Sequence, residues 1–133
     1  MIHCDRHMVQ CTTYSPLLLI GRVTGGGAAT DMGTIVGLRG VSSVSYNAAT
    51  GRYYVNFSEV PAGTFLGAWG SAQCSTPTAA KAKLVQYVPS SYSASNKRFE
   101  IAVVDMGATP GLADVATDEE MTLIIAFAET AKP

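Results

Sequence analysis

The stretch GVSSVSYNAATGRYYVNF, from Gly40 to Phe57, decides the fold. Apolar and polar side chains alternate with period two on both sides of its centre, Asn47-Ala48-Ala49-Thr50-Gly51. Asn and Gly tolerate the positive φ that a tight turn requires, and the alternating β-branched and aromatic residues suit a half-buried strand. The stretch therefore predicts a β-hairpin with its turn at residues 47–51.

The composition indicates one domain that is in contact with other molecules. The chain has 133 residues, enough to close a single hydrophobic core without disulfides or metals. Hydrophobic residues make up 47% and charged residues only 14%, against about a quarter in ordinary soluble domains. Because so few charges cover the surface, part of it has to be neutral or buried, and we expect protein partners.

Charge and cysteine content exclude several classes of function. With a net charge of -1 there is no basic field to hold a phosphate backbone, so we expect no nucleic acid partner. Cys4, Cys11 and Cys74 are an odd number without regular spacing, which favours synthesis in a reducing compartment over a disulfide framework. The apolar run Leu17–Ile20 is too short to span a bilayer and lacks the flanks of a signal peptide, so we expect no membrane partner.

Short strands separated by turns are predicted after the hairpin. These strands are Thr64–Cys74, Lys81–Val88, Arg98–Asp105 and Met121–Phe127. In the first of them, Phe65 and Trp69 are expected on one face and small residues on the other. The last is apolar on both faces, as is typical of a central strand. A two-turn helix over residues 79–87 is an alternative. The pattern predicts an all-β fold, an antiparallel β-sandwich or jelly roll of about seven to eight strands.

Residues 1–36 differ in composition from the rest of the chain. They contain both histidines, two of the three cysteines and the glycine-rich run Thr24–Ala29. We interpret them as an extended N-terminal arm and a Gly-rich link, followed by a β-sandwich domain over residues 37–133. A phosphate loop is disfavoured because no Gly-Lys-Ser or Gly-Lys-Thr follows the glycines. Leu17–Ile20 is either an arm segment that lies against a neighbour or the first core strand.

Side chains that could carry chemistry are few and poorly placed. The zinc hypothesis uses Cys4, His7, Cys11 and Cys74, and the calcium hypothesis uses Asp114, Asp118, Glu119 and Glu120. The first set lacks a Cys-x-x-Cys pair and the second lacks the alternation of an EF-hand. The only histidines, His3 and His7, fall in the arm, a poor setting for a nucleophile and its base. We expect no enzymatic activity, no cofactor and no metal.

Aromatic and apolar residues that one chain cannot easily bury are candidates for an interface. Tyr54 lies with Arg52 on the expected outer face of the hairpin, and Trp69 lies on a strand whose small residues imply close packing against another sheet or chain. The predicted interface residues are Leu17, Leu18, Leu19, Ile20, Arg52, Tyr54 and Trp69.

Several of these segments resemble, in this order, one family of virion proteins. They are Gly37-Leu38-Arg39-Gly40-Val41-Ser42-Ser43-Val44, Gly51-Arg52-Tyr53-Tyr54-Val55-Asn56-Phe57, the strand Phe99–Val103, Ala113-Asp114 and the final apolar strand. The pattern, over residues 33–129, resembles the jelly-roll or β-sandwich modules of tailed-bacteriophage capsid decoration (cement) proteins and of head or tail fibre domains. The cysteines and histidines of the arm are not part of this pattern.

The resemblance implies a non-enzymatic structural protein on the capsid surface of a virion, made in the host cytoplasm. Its implied partners are the major capsid protein and further copies of the chain, with a trimer favoured. It would stabilise the phage head by bridging capsid subunits. A receptor- or glycan-binding fibre-tip domain is the alternative, although the chain lacks the long repetitive shaft of a full fibre.

Overall fold

The computed structural model describes residues 16–107 and 111–128. In these ranges the chain forms nine β-strands and one short 3-10 helix. The strands are β1 (Pro16–Thr24), β2 (Ile35–Gly37), β3 (Val41–Asn47), β4 (Arg52–Phe57), β5 (Thr64–Cys74), β6 (Lys83–Tyr87), β7 (Arg98–Asp105), β8 (Gly111–Leu112) and β9 (Glu119–Ala128). The 3-10 helix is Ala79–Lys81. The all-β prediction is confirmed.

All nine strands belong to one antiparallel sheet. Their order is β2-β1-β9-β5-β6-β7-β4-β3, and β8 pairs with β7. The sheet curls until its two ends almost meet, which gives a barrel-like or sandwich-like arrangement. The N–H of Met32 donates to the Val44 carbonyl at 2.9 Å, and the N–H of Tyr46 donates to Oδ1 of Asp31 at 2.7 Å. These bonds join the segment after β1 to β3, so the two ends of the sheet support each other.

The predicted hairpin is present as β3 and β4. Val44 pairs with Val55 and Tyr46 pairs with Tyr53, and all four side chains face the interior. In the turn, the carbonyl of Asn47 accepts hydrogen bonds from the N–H groups of the residues at positions 50 and 51. The alternation in the sequence therefore identified both the strands and the side that they bury.

One hydrophobic core fills the interior. Its largest fully buried side chains are Tyr53, Phe99, Phe127, Leu38, Ile101, Met121, Leu123 and Ile125. Phe65 stacks on Tyr92 with ring centres 4.5 Å apart and also packs against Phe99 and Phe127. Aromatic contacts of this kind add to the free energy gained by burying apolar area. The core thus ties β5, β7 and β9 to the loop that holds Tyr92.

The main correction concerns the predicted arm. Residues 16–24 are not an arm but β1, which pairs with β9 along its whole length. Leu19 and Val23 point into the core and are almost completely buried. The domain boundary at residue 36 therefore does not hold for residues 16–36, and of the two interpretations of Leu17–Ile20 the core strand is confirmed. Residues 1–15 lie outside the described part of the chain.

The glycine-rich run after β1 crosses closely over another segment. The N–H of Gly25 donates to the Glu119 carbonyl at 2.8 Å, and a Cβ on Gly25 would be 1.9 Å from the carbonyl oxygen of Ala116. No side chain fits at that distance, so glycine is required by the approach of the two backbones.

A β-bulge corrects the predicted faces of β5. Phe127 pairs with Phe65 and Ala126 pairs with Gly67, which leaves one extra residue in β5. Gly67 has φ of +144°, a conformation that other residues rarely adopt. The extra residue reverses the alternation, so Phe65 faces the core whereas Trp69 faces solvent. The prediction that both aromatics share one face is therefore wrong.

The other predicted strands match with small shifts. β7 has the predicted bounds, and β9 is two residues longer at its start than predicted and one residue longer at its end. The helix considered for residues 79–87 is limited to the single turn Ala79–Lys81, and β6 follows it. β9 lies between β1 and β5, as its apolar character indicates for a central strand.

Candidate functional site

Large apolar side chains are exposed on the outer surface of one half of the sheet. This half consists of five adjacent strands, β2, β1, β9, β5 and β6. Six large side chains on these strands are 41–57% exposed, which is unusual for such residues in a sheet with a closed core. They are Leu18, Ile20, Val36, Leu66, Trp69 and Leu84. We call this surface the apolar face.

Strand alternation explains why these side chains point outward. In β1, Leu19 is buried in the core, so its neighbours Leu18 and Ile20 point to the opposite side. In β5, the bulge gives Trp69 the outward position. In β9, Ile125 faces the core and Ile124 faces outward. A polar residue would be expected at such outward positions of an antiparallel sheet in water.

Strand register aligns these side chains into rows. Ile124 stands opposite Ile20 of β1 on one side and opposite Trp69 of β5 on the other. Neighbouring strands are about 4.8 Å apart, so Ile20 and Trp69 are about 10 Å apart with Ile124 between them. Three apolar side chains therefore form a continuous row across the sheet.

A recess of about 310 Å³ lies beside this row. Ile20, Gly21, Arg22, Val36, Gly37 and Thr122 line it. Two of these residues are glycines, so the backbone forms part of the lining. At the rim, Nε of Arg22 lies 3.4 Å from Oε2 of Glu120. The apolar face therefore has both protruding side chains and a recess. Surfaces that pack against another protein have such complementary shapes.

A cluster of polar side chains lies on the outer surface of β3, β4 and β7. Glu100 of β7 is only 9% exposed, and its carboxylate accepts hydrogen bonds from Arg52 at 3.1 Å and Asn47 at 3.2 Å. Asn47 also donates to the hydroxyl of Tyr54 at 3.0 Å, and the Arg98 guanidinium lies 4.0 Å from the centre of the Tyr54 ring. We call these five residues the polar cluster. Glu100 is paired with Arg52, the Arg98 guanidinium lies over the Tyr54 ring, and that ring is half-buried.

The seven predicted interface residues divide among three places. Leu18, Ile20 and Trp69 lie on the apolar face, Leu17 and Leu19 face the interior, and Arg52 and Tyr54 belong to the polar cluster. Leu17 and Leu19 are thereby removed from the outer surface, because alternate residues of β1 face opposite sides. Both line a cavity of about 420 Å³ between β1 and the segment that follows β4.

Two polar pairs close one end of the interior. The ammonium of Lys83 pairs with Glu119 and donates to the Asp114 carbonyl at 2.7 Å, and the side chains of Lys83 and Glu119 are only 13% and 5% exposed. The hydroxyl of Tyr53 donates to Oδ1 of Asp114 at 3.1 Å.

Two tyrosines of the interior have a raised pKa. Burial, and then the Asp114 carboxylate, raise the pKa of Tyr53 well above its usual value, and burial raises the pKa of Tyr92. Within residues 16–107 and 111–128, every buried side-chain nitrogen and oxygen has a hydrogen-bond partner.

Cys74 and three of the four predicted calcium ligands line an open groove of about 430 Å³. Two of these acids, Glu119 and Glu120, are already paired with cations of the chain. In the part of the chain that the structure describes, no three His, Cys, Asp or Glu side chains are grouped closely enough to hold a metal ion. The predicted zinc ligands within residues 1–11 lie outside that part.

Four outward-pointing residues of the apolar face, counting Ile124 at its centre, were not predicted from the sequence. They are Val36, Leu66, Leu84 and Ile124. One signal was available, because β9 was recognised as apolar on both sides. A strand that belongs to a single curled sheet has only one buried side, so its second apolar side indicates an exposed patch.

No family model, curated protein or solved structure matches this chain. Of the helices in the described residues, none is both long and apolar enough to span a membrane.

Proposed function

We propose that this chain is a non-enzymatic structural protein of a virion, a capsid decoration (cement) protein that stabilises the phage head by bridging capsid subunits. The resemblance of residues 33–129 to decoration modules supports the class of protein. The all-β, sandwich-like fold is compatible with it. Its partners would be the major capsid protein and further copies of the chain, on the capsid surface.

The apolar face is the observation that carries the proposal. Exposed apolar patches larger than a few hundred Å² are uncommon on proteins that act alone and mark surfaces that bind other molecules. Six half-exposed large side chains on β2, β1, β5 and β6, with Ile124 of β9 in the middle, form an exposed apolar surface. A chain that is 14% charged has little other surface chemistry with which to attract a ligand. Burial against protein is the role that fits both facts.

Attachment to a capsid would depend on many weak contacts. Each subunit would bury a modest area, and the symmetry of the shell would repeat the contact at every equivalent position. A subunit assembly that binds two capsomers at once gains from effective concentration, so lasting attachment does not need a tight single site. The polar cluster, with Arg52 and Tyr54, offers hydrogen-bonding groups beside an aromatic ring for the contact with capsid protein.

Co-sedimentation tests the proposal directly. Purified chain is mixed at increasing ratios with undecorated phage heads, and bound protein is measured after sedimentation. We expect saturation at a fixed ratio to the major capsid protein and greater resistance of decorated heads to heat. Heads that are already decorated provide the control and should bind none. The absence of saturable binding would argue against a decoration role.

The polar cluster favours one second candidate, a receptor- or glycan-binding fibre tip. An aromatic ring beside a carboxylate, a guanidinium and an amide is a combination that binds sugars through stacking and hydrogen bonds. Titration with glycans, read by chemical-shift changes at Tyr54, would distinguish it. Saturable shifts lost in Tyr54→Ala, together with no binding to heads, would favour the fibre tip.

A further inference from the structure

We propose that the apolar face is covered by the same face of a second copy of this chain, related to the first by a two-fold axis parallel to β9. The inference deepens the proposed function, because it names one partner of the assembly and the surface that this partner covers. It predicts a dimer, whereas the resemblance to decoration modules implies that a trimer is favoured.

The exposed side chains of the apolar face are arranged in pairs around β9. Ile20 and Trp69 lie in one row, on opposite sides of Ile124. Leu18 stands opposite Ala126, on the β1 side. On the β5 side, Leu66 is the extra residue of the bulge next to Ala126. The first two pairs are therefore Ile20 with Trp69 and Leu18 with Leu66.

A third pair lies further from β9 in the next row. Val36 of β2 stands opposite Arg22 of β1, and Leu84 of β6 stands opposite Ser71 of β5. Arg22 and Ser71 both stand opposite Thr122 of β9. The positions of Val36 and Leu84 are thus equivalent on the two sides of β9, two strands away from it. All six exposed side chains of the apolar face belong to these three pairs.

This arrangement is self-complementary under one particular rotation. A half-turn about an axis parallel to β9, in front of the face, exchanges its two sides but keeps each position along the strands. It would place Trp69 of one copy against Ile20 of the other, and Leu66 of one copy against Leu18 of the other. Val36 and Leu84 lie where the sheet curves away and would flank this contact. Each side chain of the two central pairs then meets an apolar side chain, as an isologous interface requires. Binding of a partner with an unrelated surface would not require apolar residues at equivalent positions on the two sides of β9.

Sheet geometry allows this packing. Sheets that pack face to face lie about 10 Å apart with strand directions within about 30° of each other, which a two-fold axis parallel to the strands produces. The protruding Trp69 would enter the recess beside Ile20 of the second copy. The two central pairs occupy neighbouring rows on three strands, so the contact is smaller than a standard interface of about 800 Å² for each partner, and we expect a weak dimer.

Charge does not oppose the association of two copies. The chain has a net charge of only -1, so two copies repel each other weakly. At the rim, Arg22 and Glu120 lie side by side, so neither sign is left in excess there. A strongly charged partner would find no complementary field on this face.

The test begins with the mass of the full chain, measured by analytical ultracentrifugation over a range of protein concentrations. We expect a dimer that dissociates on dilution. Trp69→Gln should raise the dimer dissociation constant by at least about tenfold, because large aromatic side chains at an interface centre carry much of the binding energy. Leu112→Gln is the matched control, since Leu112 is 56% exposed on β8, outside the apolar face, and should leave the constant unchanged.

Chemical cross-linking tests the geometry of the pair. In chains whose three native cysteines are changed to Ser, Ile20→Cys and Trp69→Cys are prepared as separate variants of distinguishable mass. Facing Cα atoms of sheets packed about 10 Å apart are too distant for a disulfide, so a short bis-maleimide that joins two thiols is used. Mixing the variants should yield mainly the mixed cross-link, because residue 20 of one copy faces residue 69 of the other. A mixed cross-link no more abundant than the symmetric ones would overturn the proposed axis.

The outcomes separate this inference from the proposed function. A monomer at all concentrations, or a trimer, overturns the two-fold dimer, whatever the heads do. A monomer that saturates undecorated heads would retain the decoration role and reject the dimer. A dimer that ignores heads would support the dimer and reject decoration.

Discussion

The Tyr53 hydroxyl donates a 3.1 Å hydrogen bond to one carboxylate oxygen of Asp114, while the other oxygen accepts from the N–H of Ala29 at 3.1 Å. One carboxylate thereby joins β4, the glycine-rich segment after β1 and the segment before β9. These three parts of the chain meet at one end of the interior. Tyr53 is completely buried there, so its protonation state is coupled to folding.

The first prediction concerns stability at alkaline pH. Burial and Asp114 raise the pKa of Tyr53 in the folded state, whereas in the unfolded chain it is about 10. Above that pH the unfolded state loses the Tyr53 proton and the folded state keeps it, so stability falls as pH rises. Tyr53→Phe should cost about 1 kcal/mol at pH 8, and this difference should shrink above pH 10.

Urea unfolding of both proteins between pH 8 and pH 11 measures the difference. The other titrating groups are common to the two chains and cancel. A difference that stays constant or grows above pH 10 would show that Tyr53 loses its proton as readily in the folded state as in the unfolded one.

The second prediction concerns the buried pair of Lys83 and Glu119. Lys83→Met would leave the Glu119 carboxylate buried with one N–H donor, that of Ala116 at 2.8 Å. Removing one partner of a buried pair costs about 3 kcal/mol or more. The double variant with Glu119→Gln should recover much of the loss, because the uncompensated charge is gone. Denaturant midpoints measure all three, and a double variant less stable than Lys83→Met would contradict the explanation.

The third prediction concerns the bulge in β5. Gly67→Ala forces an alanine into a backbone conformation with φ of +144° and should cost about 1–3 kcal/mol. Gly111→Ala is the matched control, because a Cβ there meets nothing within 4 Å. Its effect should be within about 0.5 kcal/mol. Equal effects in the two variants would mean that the bulge tolerates a side chain.

The fourth prediction concerns the two sides of β1. Leu19 is 5% exposed and Leu18 is 52% exposed. Leu19→Ala should therefore lower the free energy of unfolding by about 2–4 kcal/mol. Leu18→Ala should change it by less than about 0.5 kcal/mol in dilute protein, where no dimer forms. Similar losses from both would indicate that β1 is not placed with Leu19 inward.

The fold was predictable where alternation is local and unbroken. β7 and the hairpin were identified within a residue or two because each polar residue between apolar ones marks an outward position. Leu17-Leu18-Leu19-Ile20 has no such mark, so the sequence left a core strand and an arm equally open. The strand register distinguishes the two interpretations, because Leu19 pairs with Ile125 of β9, which is far away in the chain. Such long-range pairing is not encoded in any short window of sequence.

The candidate surface was predictable only in part. Trp69 was assigned to an interface, but on the same side as Phe65, since nothing in the sequence fixes the extra residue of the bulge. One inserted residue turns every following side chain to the other side of the sheet. Arg52 and Tyr54 were correctly placed on the outer side of the hairpin, yet their link to Glu100 depends on the pairing of β4 with β7.

The position of β9 between β1 and β5 determines when the chain can fold during synthesis. β1 and β5 have short pairings with β2 and β6, but both gain their longest pairing only after residues 119–128 have left the ribosome. Folding that waits for such distant contacts is slow, and apolar strands exposed meanwhile are prone to aggregate. We expect a chain that ends at residue 118 to show no cooperative thermal unfolding by circular dichroism. The central strand β9 is then the one that commits the nascent domain to its native state.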